Sequence, residues 1–115
     1  MISFNDFKKV ELKVGEILKV EDIPNADKLY LLKVDTGEER TLVAGIKKHY
    51  SKKDLIGKKI IVVCNLEEKE LKGIKSQGML LAASDDEKEN VALLIPKNNI
   101  SNSSEVILVE NERDY

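Results

Sequence analysis

The stretch Lys72-Gly73-Ile74-Lys75-Ser76-Gln77-Gly78-Met79-Leu80-Leu81-Ala82-Ala83 decides how the chain is read. Its first half is polar, with two glycines and two lysines, and its second half is an unbroken apolar run. Glycines at 73 and 78 open backbone conformations closed to other residues and let another backbone or a ligand come close. Lys72, Lys75, Ser76 and Gln77 add cations and neutral hydrogen-bonding groups. Residues 79–83 have the length of a buried strand. A polar loop on a core strand is a common setting for binding groups, and a plain surface turn entering a strand has the same pattern.

Outward from that stretch the chain reads as strands. Val10, Leu12, Val14, Leu18 and Val20 alternate with Glu11, Lys13, Lys19 and Glu21, which predicts a long first strand with one wet face. Gly15 predicts a bulge or bend within it. Pro24 and Asn25 end that strand. Residues 29–35 read as a second strand, Asp35-Thr36-Gly37-Glu38 as a hairpin turn, and 40–46 as a third strand. Ser51 can cap a short helix starting at Lys52, with Gly57 ending it. Residues 60–64 form a fourth strand and 75–83 a fifth. Five antiparallel strands with a short helix between the third and fourth make an all-β OB-fold barrel. Residues 91–95 and 106–109 read as further strands, the latter a C-terminal β extension. At the other end, Ser3 can cap one helical turn with Asp6 as its reciprocal partner, and Phe4 and Phe7 are expected to cover one end of the core. Val14, Leu32, Val43, Val62 and Leu81 are the expected core.

A chain of 115 residues reads as one domain, 1–115, with a modest core. One cysteine cannot form an internal disulfide, which is compatible with a reducing compartment. No apolar run is long enough to cross a membrane and the N-terminus lacks a signal-peptide layout, so a cytoplasmic location is expected. Metal sites need clustered ligands, but Cys64 sits in an apolar strand and His49 in a polar segment. No nucleophile has a base beside it, and residues 43–48 lack the glycine spacing of a phosphate loop. No catalytic residue, metal or cofactor is expected.

The net charge of −2 hides an uneven distribution. Residues 41–80 carry nine lysines against four acids, whereas 81–115 carry three basic residues against eight acids. A basic face on an acidic molecule is therefore possible. Lys28, Lys33, Lys72 and Lys75 lie in or beside loops that a small barrel can gather at one mouth, where cations would contact phosphates. Proteins that hold extended single strands stack bases on aromatics. The aromatics here are only Phe4, Phe7, Tyr30, Tyr50 and Tyr115. Folded RNA, recognised by shape, backbone and 2′-hydroxyls, fits that poverty better.

Gly73-Ile74-Lys75-Ser76-Gln77-Gly78-Met79-Leu80-Leu81-Ala82-Ala83 also resembles the signature of the tRNA-binding domain family. That module is found on methionyl-tRNA synthetases and other synthetases, and as a free-standing structure-specific tRNA-binding protein. Further matches come in the expected order: Phe7 to Ile17 in sequence, then Pro24-Asn25-Ala26-Asp27-Lys28-Leu29, Val43-Ala44-Gly45-Ile46 and Asn65-Leu66. The resemblance implies a non-catalytic OB-fold that binds folded tRNA and assists a synthetase, above all methionyl-tRNA synthetase, in cis or in trans. It implies Ser76 and Met79 on the tRNA face, with Lys72, Lys75 and Gln77 around them, Asn25 and Lys28 from the preceding loop, and Asn65 from the end of the fourth strand. It implies a homodimer where no further domain is attached, the 106–109 segment being left uncovered by a barrel complete near Ile95. The family commonly has His at the position of Ile23 and Arg at that of Lys72. A chaperone-like peptide binder of the same fold family is the alternative, and that branch lacks the pair Gly78-Met79. The acidic C-terminal third, Lys88 included, is expected to face away from the tRNA face. Met1 suits a free-standing start and equally a segment of a larger chain.

Overall fold

A computed structural model describes residues 1–87 and 89–109. Lys88 and Tyr115 lie outside the described residues. The elements are α1 (Phe4–Phe7), β1 (Leu12–Asp22), β2 (Tyr30–Asp35), β3 (Glu39–Ala44), α2 (Lys52–Leu55), β4 (Lys59–Val63), β5 (Lys69–Leu71), β6 (Ile74–Ser76), β7 (Met79–Leu80), β8 (Ala82–Ser84) and β9 (Val91–Leu93).

The main sheet runs β3-β2-β1-β4-β7, with neighbours antiparallel. One strand holds the middle because β1 is long enough to pair twice: Leu12–Glu16 with β4 and Glu16–Asp22 with β2. The sheet curls until Gln77 meets β3, its amide donating to the Thr41 carbonyl at 2.8 Å. The result is a nearly closed five-stranded barrel of the OB type, with α2 between β3 and β4.

The curl has a local cause. Between Ile17 and Lys19 the pairing with β2 slips by one residue, a β-bulge that sharpens the strand's twist. It also resets which residues point inward. Before the bulge the inward positions are Gly15 and Ile17; after it, Val20. A Cβ on Gly15 would stand 2.6 Å from Val34 Cγ1, so glycine is the residue that lets β2 pack there. The expected inward face, counted on even numbers from Val10, therefore holds only past the bulge. Val10 and Leu18 are exposed, and Ile17 is fully buried. Val14 is buried as expected, but on the face shared by its partner Ile61, outside the barrel cluster. There the segment after Asn102 covers it: the Ser103 amide donates to Val14 O and the Val14 amide to Ser104 O.

The barrel interior is filled by Ile17, Val20, Leu32, Val34, Leu42, Leu55, Ile60 and Val62, with Cys64 at one end. A second, smaller cluster lies on the outer face of β2 and β3, where Ile23, Ala26 and Val43 are covered by Leu29, Leu31, Leu71 and Ile74. Val43 is thus buried as expected, in this outer cluster. Ile23 is one of its buried members, 5 % exposed, where an imidazole would need a hydrogen-bond partner.

The fifth strand departs most from expectation. Residues 75–83 form three short pieces, because Gly78 takes φ +145° between β6 and β7 and pairing passes from β4 to β9 after Leu80. Leu81 is consequently half-buried and Ala82 and Ala83 are exposed, so Leu81 is not a core residue. The β5–β6 hairpin ahead of it was not foreseen. The β8–β9 hairpin docks through Leu93 against the core, and the Leu93 amide donates to the Tyr50 hydroxyl at 3.1 Å. Residues 106–109 make no strand; one bridge, Lys13 to Glu105, and the Val106 amide on Leu12 O tie this extension to β1.

The local signals behave as read. The Ser51 hydroxyl accepts from the Asp54 amide at the start of α2, and Gly57 follows its end with φ +82°. Ser3 caps α1 by accepting the Asp6 amide, while the Asp6 carboxylate pairs with Lys9 rather than closing a box. Phe4 and Phe7 do not cover the core: four residues of helix leave both rings exposed.

Candidate nucleic-acid interface

Three pieces of chain meet over the outer cluster: the 23–29 loop, the β5–β6 hairpin and the Ser76–Gly78 turn. Apolar side chains set their arrangement. Ile23, Ala26 and Leu29 from the loop pack with Leu71 and Ile74 from the hairpin, so the polar residues between these anchors are carried into one neighbourhood. Asn25, Lys28, Lys72 and Lys75 are all exposed there. The ammonium groups of the three lysines have no hydrogen-bond or ion-pair partner among the described residues, which leaves their charge available to a ligand. Glu70 sits opposite Lys75 in the hairpin register and tempers the field locally.

Asn25 has φ +61° and Lys72 φ +52°, both in the left-handed region. For asparagine this is an accessible turn conformation; for lysine it costs more. Leu71 pairs with Ile74, so Lys72 and Gly73 are the two loop residues of a tight hairpin, and both need positive φ. Lys72 is held at the tip with its ammonium outward.

Ser76 and Gln77 do different work from the lysines. Ser76 is 2 % exposed; its hydroxyl accepts the Val43 amide at 3.0 Å and donates to the Gly78 carbonyl at 2.9 Å. Both of its hydrogen-bonding directions are taken inside the chain. The Gln77 side-chain oxygen accepts the Thr41 amide at 2.9 Å. Lys33 donates to the Thr41 hydroxyl at 2.6 Å, which places its half-buried ammonium beside this seam. Met79 is half-buried on the pairing with Val63. Gly78 must be glycine twice over: its φ is positive, and a Cβ would stand 2.8 Å from the Val63 carbonyl oxygen.

Asn65 lies past the end of β4 near this turn, but its amide is spent on the N-terminal segment. Its oxygen accepts the Glu11 amide at 2.7 Å, and its nitrogen donates to the Lys9 carbonyl at 2.5 Å. Its side chain fastens residues 9–11 to the barrel. Sequence reasoning missed Arg40. Its side chain is 16 % exposed, and one guanidinium nitrogen donates to both the Cys64 carbonyl (2.9 Å) and the Gln77 carbonyl (3.0 Å). Arg40 therefore ties the segment bearing Asn65 to the one bearing Gln77. The available signal was the residue type: Arg40 and Arg113 are the only arginines among seventeen lysines, and a rigid five-donor fork suits bridging carbonyls.

The remaining charges sort themselves locally. Asp22 receives Lys52 at 3.0 Å and Lys47 at 3.1 Å, and these two ammonium groups hold its carboxyl below the usual range. Cys64 is buried, and that burial pushes its thiol up. Tyr30 and Tyr50 are structural: Tyr30 donates to the Tyr50 carbonyl at 2.8 Å, and Tyr50 holds Leu93. The docking of Leu93 brings Ser84 and Val91 of the C-terminal third to a cleft that Lys28 also lines. Among the described residues no helix is long and apolar enough to cross a membrane.

Comparison with known proteins gives a consistent set of likenesses. Residues 12–105 match the profile of a family described as a putative tRNA binding domain. The methionine–tRNA ligase of Pyrococcus horikoshii is 55 % identical over 106 residues, covering 91 % of this chain and 14 % of the ligase. The chain thus spans about one-seventh of that relative's length. Among solved structures, a MetRS related protein from Pyrococcus horikoshii superposes with a TM-score of 0.87 at 37 % identity, covering 93 % of this chain and 98 % of the other. The chaperone CsaA of Bacillus anthracis gives a TM-score of 0.84 at 29 % identity, with 93 % and 99 % covered.

Proposed function

Because this chain belongs to the putative tRNA binding domain family, we propose that residues 1–115 act as one non-catalytic module that binds folded tRNA and assists an aminoacyl-tRNA synthetase in the cytoplasm. Methionyl-tRNA synthetase is the partner this reading favours, in cis or in trans, given the identity to archaeal methionine–tRNA ligases. The observation that carries the reading is that Lys28, Lys72 and Lys75, whose ammonium groups have no partner among the described residues, each adjoin in sequence a side chain of one outer apolar cluster. Lys33, Gln77, Met79 and Asn25 complete the proposed face. Ser76 and Asn65 contribute by holding its backbone rather than by touching RNA. With Tyr30 and Tyr50 engaged inside the fold, recognition rests mainly on backbone and shape rather than on bases stacked on aromatic rings.

Filter binding of folded tRNA at several salt concentrations tests this. Affinity falls steeply with salt, and Lys75→Glu or Lys28→Ala weakens binding to different tRNAs alike and lowers the salt slope by about one or more. Lys97, exposed in the acidic third, supplies the control. A Lys97→Glu effect as large as that of Lys75→Glu would sink the placement.

The likeness to the chaperone CsaA favours a second reading, binding of unfolded polypeptide. Competition between folded tRNA and a reduced, unfolded protein for the same chain separates the two.

Self-association belongs to the same proposal. Phe7, Val10, Leu12, Val106, Ile107 and Leu108 line one cleft with Lys8, Lys9, Glu11, Lys13, Asn65 and Glu105. Phe4 and Val109 are exposed apolar side chains on the same two segments. Apolar side chains with a charged rim are a common interface composition. In this reading a second copy covers the cleft. Sedimentation equilibrium at micromolar concentration gives a dimer; a monomer there would remove this part alone.

A further inference from the structure

A second cleft, of about 500 Å³, opens between the 45–49 turn and the β8–β9 hairpin. Its volume is in the range of small-ligand sites. Both walls are fixed. The Lys47 amide donates to the Lys28 carbonyl at 3.2 Å, and the His49 and Tyr50 amides donate to the Ile46 carbonyl. Tyr50 then joins the walls, its carbonyl accepting from the Tyr30 hydroxyl and its own hydroxyl accepting from the Leu93 amide.

The lining mixes two chemistries: Lys28, Lys48, His49 and Ser84 are polar, and Ala82 and Val91 are apolar, with Ile46 behind them in the barrel core. Lys48 and His49 are exposed, and neither side chain has a partner among the described residues. Their neighbours Lys47 and Lys52 share the single carboxylate of Asp22, whereas Lys28 and Lys48 have no ion pair among the described residues. Asp85 and Glu89 stand further out along the same surface, beside Lys48 and His49. Asp85 is turned into its own loop, accepting the Glu89 and Asn90 amides and the Asn90 side chain. Glu89 closes the far side with negative charge. Two unpaired lysines, a pair of apolar side chains and acids limited to the neighbouring cleft suit one phosphate joined to a flat apolar group. They do not suit a track of successive phosphates.

We propose that this cleft seats a single nucleotide of the bound RNA, its phosphate on Lys28 and Lys48 and its base against Ala82 and Val91. The inference rests on the tRNA reading for the source of the nucleotide, and Lys28 joins the cleft to the proposed face.

The chain's single histidine makes the test clean, since one imidazole C2 proton resonance reports on the cleft. The full chain is titrated with adenosine 5′-monophosphate and, separately, with inorganic phosphate. In parallel, folded-tRNA binding by the unmodified chain, Lys48→Glu and Lys97→Glu is measured against salt. The expected result is a saturable His49 shift with the mononucleotide, a weaker one with phosphate, and loss of both in Lys48→Glu. Lys48→Glu also lowers the tRNA salt slope by about one or more, while Lys97→Glu leaves it unchanged. Equal response to phosphate and nucleotide would overturn the base contact. Unaltered tRNA binding by Lys48→Glu, with no nucleotide response, would overturn the cleft and leave the tRNA reading standing. A nucleotide response in a chain that binds no tRNA would overturn the RNA source and leave the nucleotide site standing.

Discussion

The Ser76 hydroxyl takes the Val43 amide at 3.0 Å, so a side chain stands in for a strand at the seam where β6 meets β3. At this seam the Thr41 amide is likewise taken by the Gln77 side-chain oxygen, and the Ser76 hydroxyl is itself anchored on the Gly78 carbonyl. Replacing Ser76 with Ala leaves a buried amide without an acceptor. The expected cost is about 1–3 kcal/mol in urea unfolding. Binding of tRNA by Ser76→Ala weakens with little change in salt slope, because no charge is removed.

Lys72 offers a way to separate stability from binding. Its φ of +52° suits asparagine better than lysine. Lys72→Asn is expected to raise the unfolding free energy by a few tenths to about 1 kcal/mol while lowering tRNA affinity. A variant both more stable and equally tight-binding would remove Lys72 from the face.

Core depth separates two leucines. Leu32 is fully buried in the barrel cluster, and Leu32→Ala is expected to cost about 2–5 kcal/mol. Leu81 is half-buried outside that cluster. Leu81→Ala is expected to cost clearly less in the same denaturation experiment; equal losses would mean that the fifth strand is deeper than described.

Asp35 carries a pH dependence. The Gly37 amide, at 2.8 Å, and then the Asn102 side chain hold its carboxyl below its usual value. The folded value is lower than the unfolded one, about 3.9. The stabilisation is therefore fully present above that pH and is lost as pH falls through the folded value. Asp35→Asn, followed by urea midpoints from pH 6 down to pH 2, should flatten part of that decline. An unchanged slope would mean the carboxylate's partners do not persist in solution.

Much of the fold was legible because its signals are local. The Ser51 cap, the Gly57 stop and the turn at 35–38 each depend on a few adjacent residues, and each stands where the sequence puts it. What could not be read depends on distant chain. The parity of β1 is reset by pairing with β2, which no property of Ile17 or Leu18 announces. An apolar run such as 79–83 does not reveal where one partner strand hands over to another. The β5–β6 hairpin escaped because Lys72-Gly73 is an unusual two-residue turn. For the proposed face, the lysines were visible as charge. The inward commitment of Ser76 and the bracing by Arg40 depend on Val43, Cys64 and Gln77, which only the folded chain brings near.

The bulge at Leu18 makes curvature a matter of chain length. Inward residues 17 and 20 are three apart instead of two, and the pairing with β2 runs at one offset before Leu18 and another after it. Taking out that one residue would leave every pair matched and every inward side chain inward. It would also take from β1 the added twist that brings β3 round to Ser76. This barrel is bent by how many residues its first strand has, more than by which residues they are.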